Sequence, residues 1–419
     1  MQFYKFPEKK ACRPLFALFF LAILMLTRDT LSGRCLIGFY PSQAITAGLF
    51  LILFIAFLIY NRRNLPEILK DPRMLLALTA AGVMLIPMVL KRDWQMMYVS
   101  ILFYLLICVF TGFFLDLRTA ARYYVTVLSV LGVYSFFCAY IFRILPDRGI
   151  LQVPIFTNSR DVEFYNFIFS YVPLEYVKKR NFGIFREPGV YQFFSLLGLY
   201  LNNYRAQWEK NLQTWTVNVI LIVTMLSTFA TGGVIELGLL GIFMFFDKKW
   251  YQQRGARLAA LGLILLGFAG GAWILITKNS LYEEFYGMIT KFSSEESSGS
   301  RFGAIYLDAV MFLKHPLFGD RVKTVFEAVP DNTTTTMILF AFLGIPGGLF
   351  HVLSWTALCW DRKRCIPGNL ILIVILFMSF NTQNLSWNPV FWLFPILALA
   401  ERGIPAVSGG LRKRSVNGH

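Results

Sequence analysis

Two stretches of the sequence concentrate side chains able to do chemistry. The first runs Lys178, Lys179, Arg180, Asn181, Phe182, Gly183, Ile184, Phe185, Arg186, Glu187, Pro188, Gly189, immediately before an apolar segment. Three cations, then an Arg-Glu pair held by Pro-Gly at a helix start, describe an anion site. Guanidinium groups fork onto phosphate oxygens, and a helix N-terminus adds unpaired N–H donors. The same residues suit snorkelling at a membrane interface, with Glu187 as a first-turn charge, and the residues alone leave both readings open.

The second stretch holds Ser300, Arg301, Asp308, Lys314, His315, Pro316, Leu317, Phe318, Gly319, Asp320 and Arg321. Phe302, Ile305, Tyr306, Ala309, Phe312 and Leu313 recur at helical spacing, which predicts an amphipathic helix stopped by His-Pro and a Gly turn, presenting Arg301 toward a site. His315 precedes proline and fits a local charge at a helix end better than a metal ligand. Asp331 and Asn332 come before Thr333 to Thr336 at the start of an apolar run, which is good chemistry for capping a helix and equally good for holding a sugar hydroxyl. Within the apolar runs Glu236 stands out, near Thr228, Thr231, Gly232 and Gly233. A carboxylate there is expensive and by default faces a bundle interior, so Glu236 is a candidate intramembrane polar site. No GxSxG, Walker, HExxH or GxGxxG pattern falls in a credible context, and no carboxylate or histidine cluster has metal spacing. The expectation is no cofactor and no protein-encoded metal.

These residues must be positioned by a membrane protein. Hydrophobic residues make up 56% of the chain and charged ones 15%, against about 25% charged in an average soluble domain. Mean hydropathy is +0.56. The apolar residues cluster near 14–27, 44–60, 74–90, 96–115, 123–142, 190–202, 212–230, 232–246, 258–277, 333–359, 369–380 and 389–400. Most approach the ~20 residues that cross ~30 Å of hydrocarbon as a helix, and none alternates as a barrel strand would. The expected fold is all-α: a single polytopic transmembrane domain, 1–419, of about 12 helices. The basic start of the first run resembles a signal peptide, but no small-x-small cleavage site follows, and it is read as a retained helix. Cys12, Cys35, Cys108, Cys138, Cys359 and Cys365 show no CxxC spacing and read as structural thiols.

Orientation follows from lysine and arginine in the short connections, which are retained in the cytoplasm. With both termini inside, the inner segments take more than half of the 40 basic residues, while the short outer connections hold only Arg28, Arg34, Lys91 and Arg92. The net charge of +16 is then mostly a topology signal, and no nucleic-acid partner is called for. Two long segments fall outside, 143–189 and 278–332, and loops of that length are usually functional.

The segments FREPGVYQFF (Phe185 to Phe194), STFATGGVIELGLLGIF (Ser227 to Phe243) and SRFGAIYLDAVMFLKHPLFGD (Ser300 to Asp320), followed by a polar helix start and Gly344-Ile345-Pro346-Gly347-Gly348, resemble the O-antigen polymerase and ligase superfamily of bacteria. In that family an arginine opens an outer-loop helix ending in His-Pro-Leu-x-Gly, matched by Arg301, His315, Pro316, Leu317 and Gly319. Ligases of the family usually carry a His-Asn pair where Asp331 and Asn332 stand here, and a Ser-Arg pair where Ala230 and Thr231 stand. The chain is therefore more similar to the polymerases. The resemblance implies a GT-C-like membrane glycosyltransferase in the bacterial cytoplasmic membrane. It would join repeat units carried on a polyprenyl diphosphate at the outer face, with membrane lipid and chain-length regulator or flippase proteins as partners. It also points to Arg186, Arg301, Arg180, Arg160 and Lys179 for the diphosphate. Glu187 or Asp331 would serve the acceptor, and Arg321, Asn332, Tyr191 and His315 would line the substrate. The alternatives are ligase-like transfer of finished polymer and a flippase of lipid-linked oligosaccharide.

Overall fold

The computed structural model describes residues 13–25, 70–113, 115–157, 162–174, 180–255, 295–329 and 332–403, with isolated positions between 48 and 66 and between 257 and 265; for 295–302 it describes the backbone. The expected spans at 44–60 and 258–277 fall, apart from isolated positions, outside the described residues. The chain is mostly helical. In order it runs α1 (Arg13–Met25), α2 (Pro72–Leu90), α3 (Met96–Thr111), α4 (Leu117–Phe137), a π turn (Cys138–Phe142), α5 (Ile144–Asp147), then β1 (Ile155–Thr157), β2 (Glu163–Asn166) and β3 (Tyr171–Pro173). It continues with α6 (Pro188–Tyr204), α7 (Asn211–Ser227), α8 (Thr231–Asp247), a 3-10 turn (Trp250–Gln252), α9 (Glu295–Lys314), α10 (Val322–Ala328), α11 (Thr336–Cys359), α12 (Ile366–Phe380) and α13 (Pro389–Gly403).

Local chemistry fixes the helix starts. Asp71 accepts from Arg73 N at 2.9 Å and Pro72 opens α2, while Asp116 accepts from Thr119 N at 2.5 Å to start α4. By length and composition three helical stretches among the described residues suffice to cross a membrane: Pro72–Leu90, Leu117–Asp147 and Thr336–Cys359. At the centre lies α6, in which every residue from Val190 to Asn202 is buried. It packs against α4, α7, α8 and α12, so the short apolar run at 190–202 is a core helix of the bundle. Cys108, Cys138 and Cys359 are buried free thiols that fit a structural role, whereas Cys365 is a free thiol exposed at the start of α12; Cys12 and Cys35 lie outside the described residues.

Contacts sort the connections into two ends. At one end Arg122 donates to Ala206 O at 2.7 Å, Leu117 N donates to Glu401 Oε1 at 2.8 Å, and Arg364 pairs with Asp247 at 2.7 Å. At the other lie the segments around 91–93, 180–191, 227–231, 320–322 and 381–388, joined by the bonds described below.

Two features depart from a plain helical bundle. The first loop is not all-α: β1, β2 and β3 form an antiparallel meander, with Phe156 opposite Phe164 and Tyr165 opposite Val172. Phe164 and Tyr171 bury against Phe156, Val162 and Phe182, giving the short strands the apolar face they need. The second departure is α11. Gly344 has φ 67° and ψ −160°, and Thr336 Oγ1 lies 3.3 Å from His351 Nε2. In a straight helix residues so spaced would stand about 22 Å apart. The stretch is therefore a helical hairpin, Thr336 to Leu343 folding back on Ile345 to Cys359, and the single span expected at 333–359 is corrected accordingly. The Gly-Ile-Pro-Gly-Gly sequence permits it: only glycine takes this φ cheaply, and Gly348 leaves room for the Phe340 ring.

The freed backbone groups of the hairpin tip are satisfied from outside. Ile345 N donates to Pro316 O at 2.8 Å, Asp320 N donates to Ala341 O at 2.7 Å, and Lys91 Nζ donates to Asp320 O and Phe342 O at 2.7 and 2.5 Å. The His-Pro-Leu-Phe-Gly turn after α9 is thus the clasp on the tip, and Gly319, at φ 71°, packs on Ala341 and Phe342.

Candidate functional site

The site is best built from α6. Glu187 occupies its N-cap position, with extended backbone (φ −145°, ψ 145°), and Pro188 fills the first turn. Glu187 caps through its carbonyl, which accepts from Val190 N at 3.2 Å, and not through its carboxylate. Arg186 and Glu187 are half-buried. The preceding chain is bolted down by Asn181, whose Nδ2 donates to Ser135 Oγ and Ser227 Oγ at 3.0 Å each and whose N donates to Ser227 O at 2.9 Å. Arg180 is thereby held at the end of α7 and Arg186 at the start of α6.

One turn deeper, Gln192 Nε2 donates to Glu236 Oε2, joining α6 to α8. Both residues are 2% exposed. A Cβ at Gly233 would lie 2.3 Å from Gln192 Cγ, so the glycine admits the amide between the helices. Glu236 therefore faces the bundle interior, with an amide as partner.

Gly189, in the first turn of α6, abuts Gln383 of the segment 381–388 between α12 and α13. That segment is polar yet buried at Gln383, Asn384, Ser386 and Asn388. It reaches onward to the start of the hairpin: Thr335 Oγ1 donates to Gln383 O and accepts from Leu385 N at 2.9 Å, and Thr336 N donates to Asn381 Oδ1 at 3.1 Å. Of the two readings left open for Asn332, capping and sugar binding, the first is not seen at Thr336, whose N–H is served by Asn381 from another connection.

Asn332 has a different task. Its Nδ2 donates to both carboxylate oxygens of Asp308 at 2.9 Å, and its Oδ1 accepts from Thr334 N at 2.8 Å. Thr334 Oγ1 adds a 2.6 Å bond to Asp308 Oδ2. Asp308 is fully buried on α9, and no lysine, arginine or histidine among the described residues pairs with it. Burial raises its carboxyl above the usual range, with Thr334 and Asn332 opposing. Arg301 lies two helical turns before Asp308 on α9.

The result is a polar layer across one end of the bundle, from Glu236 and Gln192 through the Arg186-Glu187 turn and Gln383 to Thr335, Asn332 and Asp308. Among the candidates, Arg186, Glu187, Asn332 and Glu236 belong to this series, linked through Gln192, Gly189, Gln383 and Thr335. Tyr191 stands apart from it: its ring is buried, tilted against Phe185 at 5.2 Å, with its hydroxyl 3.0 Å from Ser135 Oγ, which is a packing role. His315 is exposed, its Nε2 3.9 Å from Asp320 Oδ2, and Arg321 is an exposed residue at the start of α10. Arg160, Lys179 and Asp331 lie outside the described residues, as does the side chain of Arg301. Gln192, Gln383 and Asn381 are the site residues that the sequence reading passed over, and Asp308 was named in the second stretch without a role. The run NTQNLSWN at 381–388 was a compositional signal for Asn381 and Gln383, polar yet set between two apolar helices.

Chemically, the layer offers amides and hydroxyls suited to sugar hydroxyls, flanked by two arginines suited to an anion. No family model, no curated protein and no solved structure matches the chain.

Proposed function

We propose that the protein is a membrane glycosyltransferase that polymerises oligosaccharide repeat units carried on a polyprenyl diphosphate, at the outer face of the bacterial cytoplasmic membrane. The observation that carries this reading is the Arg186-Glu187-Pro188 turn at the head of α6, a helix buried from Val190 to Asn202, in contact through Gly189 and Gln383 with a buried layer of amides and hydroxyls. The reading takes both termini as cytoplasmic and the fold as a GT-C-like bundle of about 12 spans.

The chemistry needs neither nucleotide nor metal, because the donor is already activated. An acceptor hydroxyl oxygen bonds to the anomeric carbon while the bond from that carbon to the diphosphate oxygen breaks. The electron pair leaves on the polyprenyl diphosphate, and the hydroxyl proton passes to a carboxylate, Glu187 or Asp331. Arg186, Arg301, Arg180 and Arg160 take up the charge growing on the diphosphate, a form of transition-state stabilisation worth about 10²-fold or more per donor. In this reading Arg186→Ala and Arg301→Ala each lower chain extension about 10²-fold or more while the protein stays folded in membranes. Polymer of normal length from both variants would sink the proposal.

A further inference from the structure

The Asp308, Asn332 and Thr334 cluster lies between the two parts of the second loop that the polymerase reading uses. α9 carries Arg301 seven residues, two turns, before Asp308; Asp331 immediately precedes Asn332. Asn332 has little left for a sugar, since its amide N–H group reaches both oxygens of Asp308 and its carbonyl is taken by Thr334. All three side chains are buried, and the carboxylate gathers its three bonds from one short segment 24 to 26 residues further along the chain. A buried carboxylate held by neutral donors, with no cation partner among the described residues, is a costly anchor if all it does is hold a surface loop, where an apolar contact would serve at lower cost. Its directional bonds fix both the position and the rotation of the 332–334 segment against α9.

We propose that Asp308 is a positioning residue: acting through Asn332 and Thr334, it fastens the segment leading into α11 to α9, the helix whose first half carries Arg301, and so fixes the arrangement in which the second loop meets a lipid-diphosphate substrate. This rests on the polymerase reading for its kinetic consequence and on the hydrogen bonds alone for its structural one. Asn332 is accordingly reassigned from sugar binding to this fastening.

The test uses the full chain in nanodiscs, with two readouts: hydrogen exchange at the backbone amides of 332–336, and steady-state extension of polyprenyl-diphosphate-linked repeat units. The variants are Asp308→Asn, Asn332→Asp, their double swap, and the milder Thr334→Val. Asp308→Asn sets an amide against an amide, and Asn332→Asp a carboxylate against a carboxylate, whereas the swap restores a donor facing two acceptors. Each of the two single substitutions is expected to raise exchange at Thr334 and to lower kcat, both by about ten-fold, with KM changed by less than about two-fold. Thr334→Val moves the same way by less. The swap returns exchange and kcat to within about three-fold of the wild type. Wild-type kcat in the single variants overturns the proposal, as does a swap that restores protection but not kcat, because Asp308 would then have chemistry of its own. If the wild type itself extends no chains, the polymerase reading fails and the exchange arm decides the fastening alone: re-protection in the swap supports it, and continued exposure overturns it.

Discussion

Thr336 and His351 belong to one apolar stretch and stand 15 residues apart, yet their side chains meet at 3.3 Å. That contact converts a 24-residue segment, long enough to cross a bilayer, into a hairpin whose tip is clasped by the turn after α9 and by Lys91. It also brings Thr335 and Thr336 down beside Asn381 and Gln383, which is how the second loop comes to share a polar layer with α6.

The hairpin makes an opposite prediction to a straight helix at Gly344. In a straight helix Gly344→Ala would stabilise by about 1 kcal/mol. With φ at 67°, and an added Cβ 2.5 Å from Leu317 O, the same substitution should destabilise by about 2 kcal/mol or more. Thermal unfolding in detergent reads the sign, and an unchanged or higher midpoint would remove the hairpin.

Lys91 gives the clasp a pH signature. Burial pushes its ammonium down to about 8 from the ordinary 10.5, against the opposing pull of Asp93 and Asp320. Between those values the unfolded chain holds the proton and the folded chain has released it, so stability rises with pH across that window and is fully recovered above about 10.5. The difference in unfolding midpoint between wild type and Lys91→Met should therefore grow in favour of the wild type from pH 8 to 10.5. A difference that stays flat, or shrinks, contradicts the buried geometry.

Glu236 and Gln192 hold α6 to α8. Glu236→Ala strands a buried amide and should cost about 1–3 kcal/mol, whereas Glu236→Gln keeps an acceptor for Gln192 and should cost less. Equal melting points for the two variants would mean that the pair does not join the helices.

The helical, apolar character of the chain was legible in the sequence, because long apolar runs report helices that can be buried away from water. The runs at 74–90 and 96–115 map onto α2 and α3, and the amphipathic pattern after Arg301 maps onto α9. The hairpin was not legible: Gly-Ile-Pro-Gly-Gly reads as an apolar helix with tolerated breakers until the Pro316 and Asp320 backbone groups that satisfy the break are seen. The site was legible in its charged residues and hidden in its neutral ones. Arg186, Glu187 and Glu236 stand out against apolar surroundings, whereas Gln383 and Asn381 look like any polar turn, and the Asp308 to Asn332 bond joins positions 24 residues apart. The meander in the first loop announced itself only as aromatic enrichment, since strands of three or four residues carry too little periodicity.

The proposed polymerase activity is tested most directly by the lipid-linked products of a strain lacking the protein. The expected result is single repeat units on polyprenyl diphosphate, accumulated at the outer face, with no longer chains. Chains of normal length would contradict it, as would finished polymer left untransferred, which marks a ligase, or repeat units trapped on the inner face, which mark a flippase.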